Sequence, residues 1–527
     1  YEIKECDWSS DVCSSDLDMK RLRIAMIAAI SLVALAGLAF ASGAQQPGTA
    51  VDTSDFVEVT HHMMGNAPTN GMDKIVEAEW NKILEKQVNA HMVLRWIEWA
   101  DWYTKYNLLL ASGESIDMIH SSSTWLDMWA NSQRGAFMPL DDLIPKYAPA
   151  TWAEIPQADW DQARFDGKIV AFPENTYSQY VNHGLYYRGD WASEFGITKH
   201  ISTFDEMAVY FQGIVDNKEG VIPWDRANNA QLLHGWIQSE TEGVLINLPT
   251  QHQIFMGRTF EDPFTIVPVI FDDMFVDFAY KMRDWYERGF WRKDVLNYTG
   301  ETRELLRAGK SGSDQHHSNT LRYLRKEMDE LIPGSELQMF AWSDTNGNLV
   351  AEPITHGATS IGRNSKNAER SVMIYEQLRQ NEEVYRLLNY GMEGVQYEVK
   401  DGIRIRPADY DTATDDFYSD YWGGRVDKFE IPGDTEWLGI WDIWDGYNKI
   451  MKRPFPYSKF VFDKSPVEPE LAAISDVISQ YLVPIMAGVV EDVDGAIEDL
   501  QGALKKAGHD KFLSELQSQL TAYEATL

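Results

Sequence analysis

Residues 163–191, ARFDGKIVAFPENTYSQYVNHGLYYRGDW, decide how the rest of the chain is read. Asp166-Gly167 is a turn dipeptide, and 169–172 is a short apolar strand. Pro173 has no N–H to give to a ladder, so it must end that strand or confine it to a sheet edge. Polar and aromatic residues follow, then a second apolar strand over 184–187 and the start of a helix. A strand stopped by proline and followed by tyrosines and asparagines suits a chain leaving one sheet for another across a cleft. The segment is therefore read as the crossover between two lobes, with 173–178 as the first hinge.

Toward the N-terminus, strands over 56–64, 91–99 and 116–120 alternate with helices over 73–88 and 103–112. The first helix carries Ile75, Val76, Trp80, Ile83 and Leu84 at a period of 3.6. Such alternation predicts an α/β fold with a mostly parallel sheet and ligand loops at the strand C-termini. Beyond the crossover, helices are expected over 203–216, 271–289, 301–307 and 368–389. A strand over 352–361 returns toward the first lobe, and 469–527 is almost wholly helical in pattern. The expected lobes are 55–173 with 356–440, and 174–355 with 441–527, each a mostly parallel sheet flanked by helices.

Composition narrows the partners. Lys and Arg number 47 against 81 Asp and Glu, and a net charge of −34 repels nucleic acid and anionic membrane surfaces at long range. The 19 Trp and 24 Tyr supply flat faces suited to carbohydrate, although packing accounts for most of them. Residues 7–17, DWSSDVCSSDL, read as a translated sequencing adapter, so 1–18 are set aside; they hold both cysteines, Cys6 and Cys13. Without them the chain has no disulfide, thiolate nucleophile or cysteine-ligated metal. Residues 19–41 have the form of a cleavable export signal: Lys20, Arg21 and Arg23, then an apolar run over 24–40 and the small-x-small site Ala39-Phe40-Ala41. The expected location is periplasmic or extracellular.

Four motifs then occur in order. GAFMPLDDLIPKYAP at 135–149 is similar to the closing turn of a first lobe in extracellular solute-binding proteins of carbohydrate ABC importers. DGKIVAFP at 166–173, with LYYRGDWASEFGIT and STFDE behind it, resembles their crossover. HGATSIGRNSKNAERSVMIYEQLRQNEEVYRLLNYGMEGVQYEV at 356–399 resembles their returning strand and helix. FVFDKSPVEPELAAISDVISQYL at 460–482 and GALKKAGHDKFLSELQSQL at 502–520 resemble the C-terminal helical segment of their LipO-like branch. The resemblance implies a type II periplasmic-binding-protein fold whose lobes close on a sugar, a membrane permease as partner, and no catalysis. It departs from that branch in having no cysteine after the apolar run, which puts lipid tethering in doubt, and in the apolar WLGIWDIW at 437–444.

Sugars are held by aromatic stacking and by hydrogen bonds from carboxylates, amides and imidazoles, so candidates are sought at strand ends and hinges. Those residues are Trp99 and Asp101 after the second strand, Trp125 after the third, and Tyr177 and Tyr180 in the crossover. On the second lobe they are Gln315, His316, Asn319 and Trp342, while His356 opens the strand returning to the first lobe and Trp441 lies in the final hinge segment. Ordinary packing competes for each aromatic, and about half of the set is expected to touch ligand. No metal or cofactor is expected. Gly309-Lys310-Ser311 lacks the first glycine of a phosphate loop, because position 304 is Glu. Neighbours such as His61-His62 and His316-His317 point to opposite faces of a strand. Asp344-Thr345-Asn346-Gly347 reads as a hairpin turn and not as a calcium loop. The leading reading is a monomeric sugar-capturing component of an importer; a secreted polysaccharide hydrolase or lyase and a sensor-associated binding protein are the alternatives.

Overall fold

A computed structural model describes residues 53–99, 102–173, 183–226, 231–246, 248, 252, 254–298, 302–419, 421 and 424–527, and its folded unit runs from Phe56 to Leu527. The adapter-like segment, the export signal, Asp101, Tyr177, Tyr180 and the hinge beyond Pro173 lie outside the described residues. Among the described residues no helix is long and apolar enough to cross a membrane.

Eight strands build the two sheets that position the site: β1 Val57–Met64, β2 Ala90–Ile97, β3 Met118–Ser121, β4 Phe172–Pro173, β5 His183–Arg188, β6 Gln315–His317, β7 Leu337–Ala341 and β8 Ala358–Ser360. The first sheet has the order β2-β1-β3-β8-β4. β1 pairs in parallel with β2 and β3, as the strand and helix alternation requires, while β8 runs antiparallel between β3 and β4. Helix Met72–Val88 lies against this sheet and buries Val76, Trp80, Leu84 and Val88 at four-residue spacing. Each such side chain contributes about 1.5–3 kcal/mol on full burial.

Four expectations change here, each for a local reason. The strand over 169–172 divides. Lys168–Ile169 forms a hairpin with Arg164–Phe165 around Asp166 and Gly167, both at positive φ, and only Phe172–Pro173 joins the sheet, at its edge, where proline needs no donor. The strand over 352–361 shrinks to β8, because Pro353 has no N–H for a ladder and the His356 N–H turns back to the Pro353 carbonyl at 2.8 Å. The helix over 368–389 is two, Ala368–Gln380 and Glu382–Tyr390: Asn381 leaves helical geometry, and its side chain caps the second by accepting from the N–H groups of Glu383 and Val384. The stretch 344–347 makes no hairpin; Trp342–Asp344 is a 3-10 turn in which Asp344 accepts from the Ala341 N–H.

The second sheet has the order β6-β5-β7, and both pairings are antiparallel, unlike the parallel arrangement expected there. Helix Ser318–Leu331 joins β6 to β7 as a crossover, so those two strands share a direction, but β5, arriving from the first sheet, is inserted between them and runs opposite. Insertion demands a small residue: a Cβ on Gly184 would meet the Phe340 carbonyl oxygen at 2.1 Å. The largest core gathers Leu185 and Tyr187 of β5, Phe204, Trp236, Phe275, Trp285 and Trp342, together with Leu471, Ile474, Leu500, Leu504, Phe512, Leu516 and Leu520. The helices Glu468–Val477, Val493–Lys506 and His509–Glu524 are therefore part of the core beneath the second sheet.

Candidate functional site

A cavity of about 570 Å³ is lined by residues from both sheets. From the first come His120 of β3, Thr124 and Trp125 just after it, Trp99 after β2, and His356 and Gly357 leading into β8. From the second come His183 of β5, His317 of β6 and Asn319, joined by Gln238 and His234 of helix Leu232–Glu240, Asn348 and Glu352.

The first-sheet side is an aromatic shelf. Trp99 and Trp125 stack with centroids 5.9 Å apart and planes 30° from parallel, and Trp102 meets Trp125 edge-on at 5.5 Å. Trp99 is 37% exposed and lines the cavity. His120 lies 5.6 Å from the Trp125 ring, 1% exposed, and neither of its ring nitrogens has a protein partner among the described residues.

The opposite side is a set of imidazoles in fixed tautomers. His317 stands directly across from His183 in the β5–β6 register, so both side chains leave the same face of the sheet, with ring centroids 5.4 Å apart. The Gln315 side-chain amide donates to Nδ1 of His183 at 3.1 Å, and the Thr320 N–H donates to Nδ1 of His317 at 3.3 Å. A neutral imidazole that accepts at Nδ1 carries its proton on Nε2, so each presents an N–H donor. The rings are uncharged at neutral pH: burial pulls His120 and His317 down to about 3 and His234 and His356 to about 4, and lowers His183 well below the ordinary value. Five of the chain's 12 histidines line this cavity, His183, His234 and His317 on this side and His120 and His356 on the first-sheet side. Among the described residues no group of three or more His, Cys, Asp or Glu is placed to hold a metal ion.

The sequence candidates separate by position. Trp99, Trp125, Asn319 and His356 line the cavity. Gln315 stands behind it, orienting His183. His316 is opposite Gly184 in the register and is tied to Thr320 Oγ1 at 2.8 Å; of the adjacent pair, His317 is the one that lines the cavity. Trp342 is fully buried, stacked on Phe204 at 5.6 Å and 6°, and belongs to the core. Trp441 packs against Trp444 and Arg322 in a smaller core under helix Ile440–Ile450. Sequence reasoning passed over His120, His183, His234, His317 and Glu352. A histidine inside a short apolar strand, as at His120, was the available signal; strand pairing, which selects His317 over His316, was not.

Residues 456–525 match a family described as a domain of unknown function, DUF3502. A carbohydrate ABC transporter substrate-binding protein of Streptococcus pneumoniae is 24% identical over 516 residues, which cover 95% of this chain and 98% of that protein. Among solved structures, the N-glycan transport solute binding protein of Streptococcus pneumoniae superposes with a TM-score of 0.69 at 20% identity, covering 89% of this chain and 99% of that one. An extracellular solute-binding protein of Bifidobacterium longum subsp. infantis superposes with a TM-score of 0.66 at 14% identity, covering 90% and 99%. The chain thus has the two-lobe α/β fold of solute-binding proteins, with a helical C-terminus, and along nearly its whole length it is similar to the carbohydrate ABC transporter kind.

Proposed function

We propose that this chain is the solute-binding component of a carbohydrate ABC importer, capturing a sugar or oligosaccharide in the cavity between its sheets and presenting it to the membrane permease. The observation that carries this reading is the pairing of a stacked tryptophan shelf with a facing wall of neutral imidazole donors. A pyranose presents an apolar C–H face and a hydroxyl rim, and these two surfaces match them. The full-length relative named for carbohydrate transport and the N-glycan transport protein of the same fold support it. Contacts from both lobes would favour the closed state by differential affinity, and no bond is broken. Trp99, Trp125, Asn319 and His356 are proposed ligand residues, with His120, His183 and His317 added from the geometry.

The lobes proposed are 55–173 with 356–440 and 174–355 with 441–527, and the protein acts as an exported monomer. Most glycoside hydrolases use a pair of carboxyl groups, and among the described residues Glu352 is the only carboxylic side chain lining the cavity. Thermal unfolding in the presence of a glycan panel tests the reading: the midpoint should rise with ligand concentration for at least one sugar. New reducing ends on incubation with polysaccharide would replace it with the hydrolase reading.

A further inference from the structure

Glu352 lines the same cavity as Trp125, His183 and His317, yet among the described residues nothing donates to its carboxyl group or pairs with it. It is held in place by its backbone. The Lys452 N–H donates to the Leu349 carbonyl at 2.8 Å, the Ala351 N–H donates to the Lys452 carbonyl at 2.9 Å, and Pro353 follows. Burial alone pushes the carboxyl pKa up to about 7, so the group is ionised in mildly alkaline solution.

No lysine or arginine lines the cavity among the described residues. The residues after Asp55 that are not described cannot supply one either: 100–101, 174–182, 227–230, 247, 249–251, 253, 299–301, 420 and 422–423 read AD, ENTYSQYVN, ANNA, N, PTQ, Q, TGE, D and WG. The remaining basic groups are the imidazoles, which burial keeps neutral.

We infer that Glu352 contacts the ligand and sets its charge class: the cavity takes uncharged glycans, whose hydroxyl or acetamido N–H groups donate to this carboxylate, and excludes glycans bearing uronate, sialate or sulfate. The inference rests on the carbohydrate reading and adds the class of sugar to it. An uncharged sugar brings the donors that the carboxylate lacks. An anionic one would lose its hydration with no cation to replace it and would meet a like charge.

The test uses the full chain at pH 8 and calorimetric titration with neutral di- to tetrasaccharides, each paired with a counterpart carrying a uronate or sialate, including cellobiose against cellobiouronic acid and N-acetyllactosamine against its sialylated form. For any neutral glycan that binds, the acidic counterpart is expected to bind at least about 100-fold more weakly. Glu352→Gln, which keeps the shape, should weaken the neutral glycan by about 10-fold or more and narrow the gap to the acidic one, with the thermal midpoint of the free protein confirming the fold. An acidic counterpart within tenfold of its neutral partner overturns the charge class and leaves the carbohydrate reading standing. Unchanged affinities in Glu352→Gln remove Glu352 from the ligand. Failure of the whole panel to bind overturns the carbohydrate reading itself, and the inference with it.

Discussion

The two sides of the cavity do different chemistry and are held by different means. On the first sheet, Trp99 and Trp125 follow strand ends, brace one another by stacking, and line the cavity with apolar rings. On the second, His183 and His317 offer single N–H donors whose tautomers depend on Gln315 and Thr320. On the proposed reading the shelf would tolerate any flat sugar face, whereas the imidazole wall would discriminate by where hydroxyls sit. Breadth of binding should therefore reside in the first sheet and selectivity in the second.

Acid breaks this comparison most strongly, because it acts on imidazoles and leaves indoles untouched. His120, His317, His234 and His356 have folded-state values of about 3 to 4 against 6.5 unfolded. A group whose pKa is depressed by folding contributes stability that is complete above the unfolded value and is lost as pH falls toward the folded one. Below pH 6.5 each therefore costs about 1.4 kcal/mol per pH unit. Glu352, raised to about 7 from 4.5, works in the opposite direction between those values, but it is one group against four. The thermal midpoint is expected to be lower at pH 5 than at pH 7; a midpoint that holds or rises would show that the imidazoles lining the cavity are not neutral.

Trp125→Ala should remove the shelf's anchor and cost about 2 kcal/mol of affinity for every bound glycan alike, while circular dichroism stays unchanged. A loss confined to one glycan would place discrimination on the shelf instead. His183→Ala should cost about 1 kcal/mol, and unequally across sugars that differ in a single hydroxyl, as read by titration calorimetry. The smallest effect expected is that of Gln315→Leu, a few tenths of a kcal/mol to about 1 kcal/mol in affinity, since it frees the His183 tautomer without removing the ring. If Gln315→Leu weakens binding more than His183→Ala does, Gln315 is itself a ligand contact.

Much of the first sheet was legible because its signals are local. Apolar periodicity located the helix ending at Val88, strand ends located Trp99 and Trp125, and Pro173 marked an edge. The misplacements share one cause. Asn381 divides a helix whose apolar pattern runs through it, since a side-chain cap competes with the backbone in a way that periodicity does not register. Trp342 and Trp125 look alike as aromatics beside a strand end, and only the packing of Phe204 onto Trp342 separates core from cavity. Glu352 could not be told from the chain's other acids, because what distinguishes it is its place in the cavity with no partner among the described residues, a property of the surroundings and not of the residue.

The sequence by itself determined the α/β alternation, the passage from one sheet to the next after Pro173, the helical C-terminus and the acidic net charge, because each follows from composition or from short-range pattern. Only the tertiary structure decided that β5 would be inserted antiparallel between β6 and β7, that His317 and not His316 would line the cavity, and that among the described residues Glu352 would stand there with no lysine or arginine beside it. Those outcomes depend on strand register and on residues more than a hundred positions apart, for which a single chain read in order carries no signal.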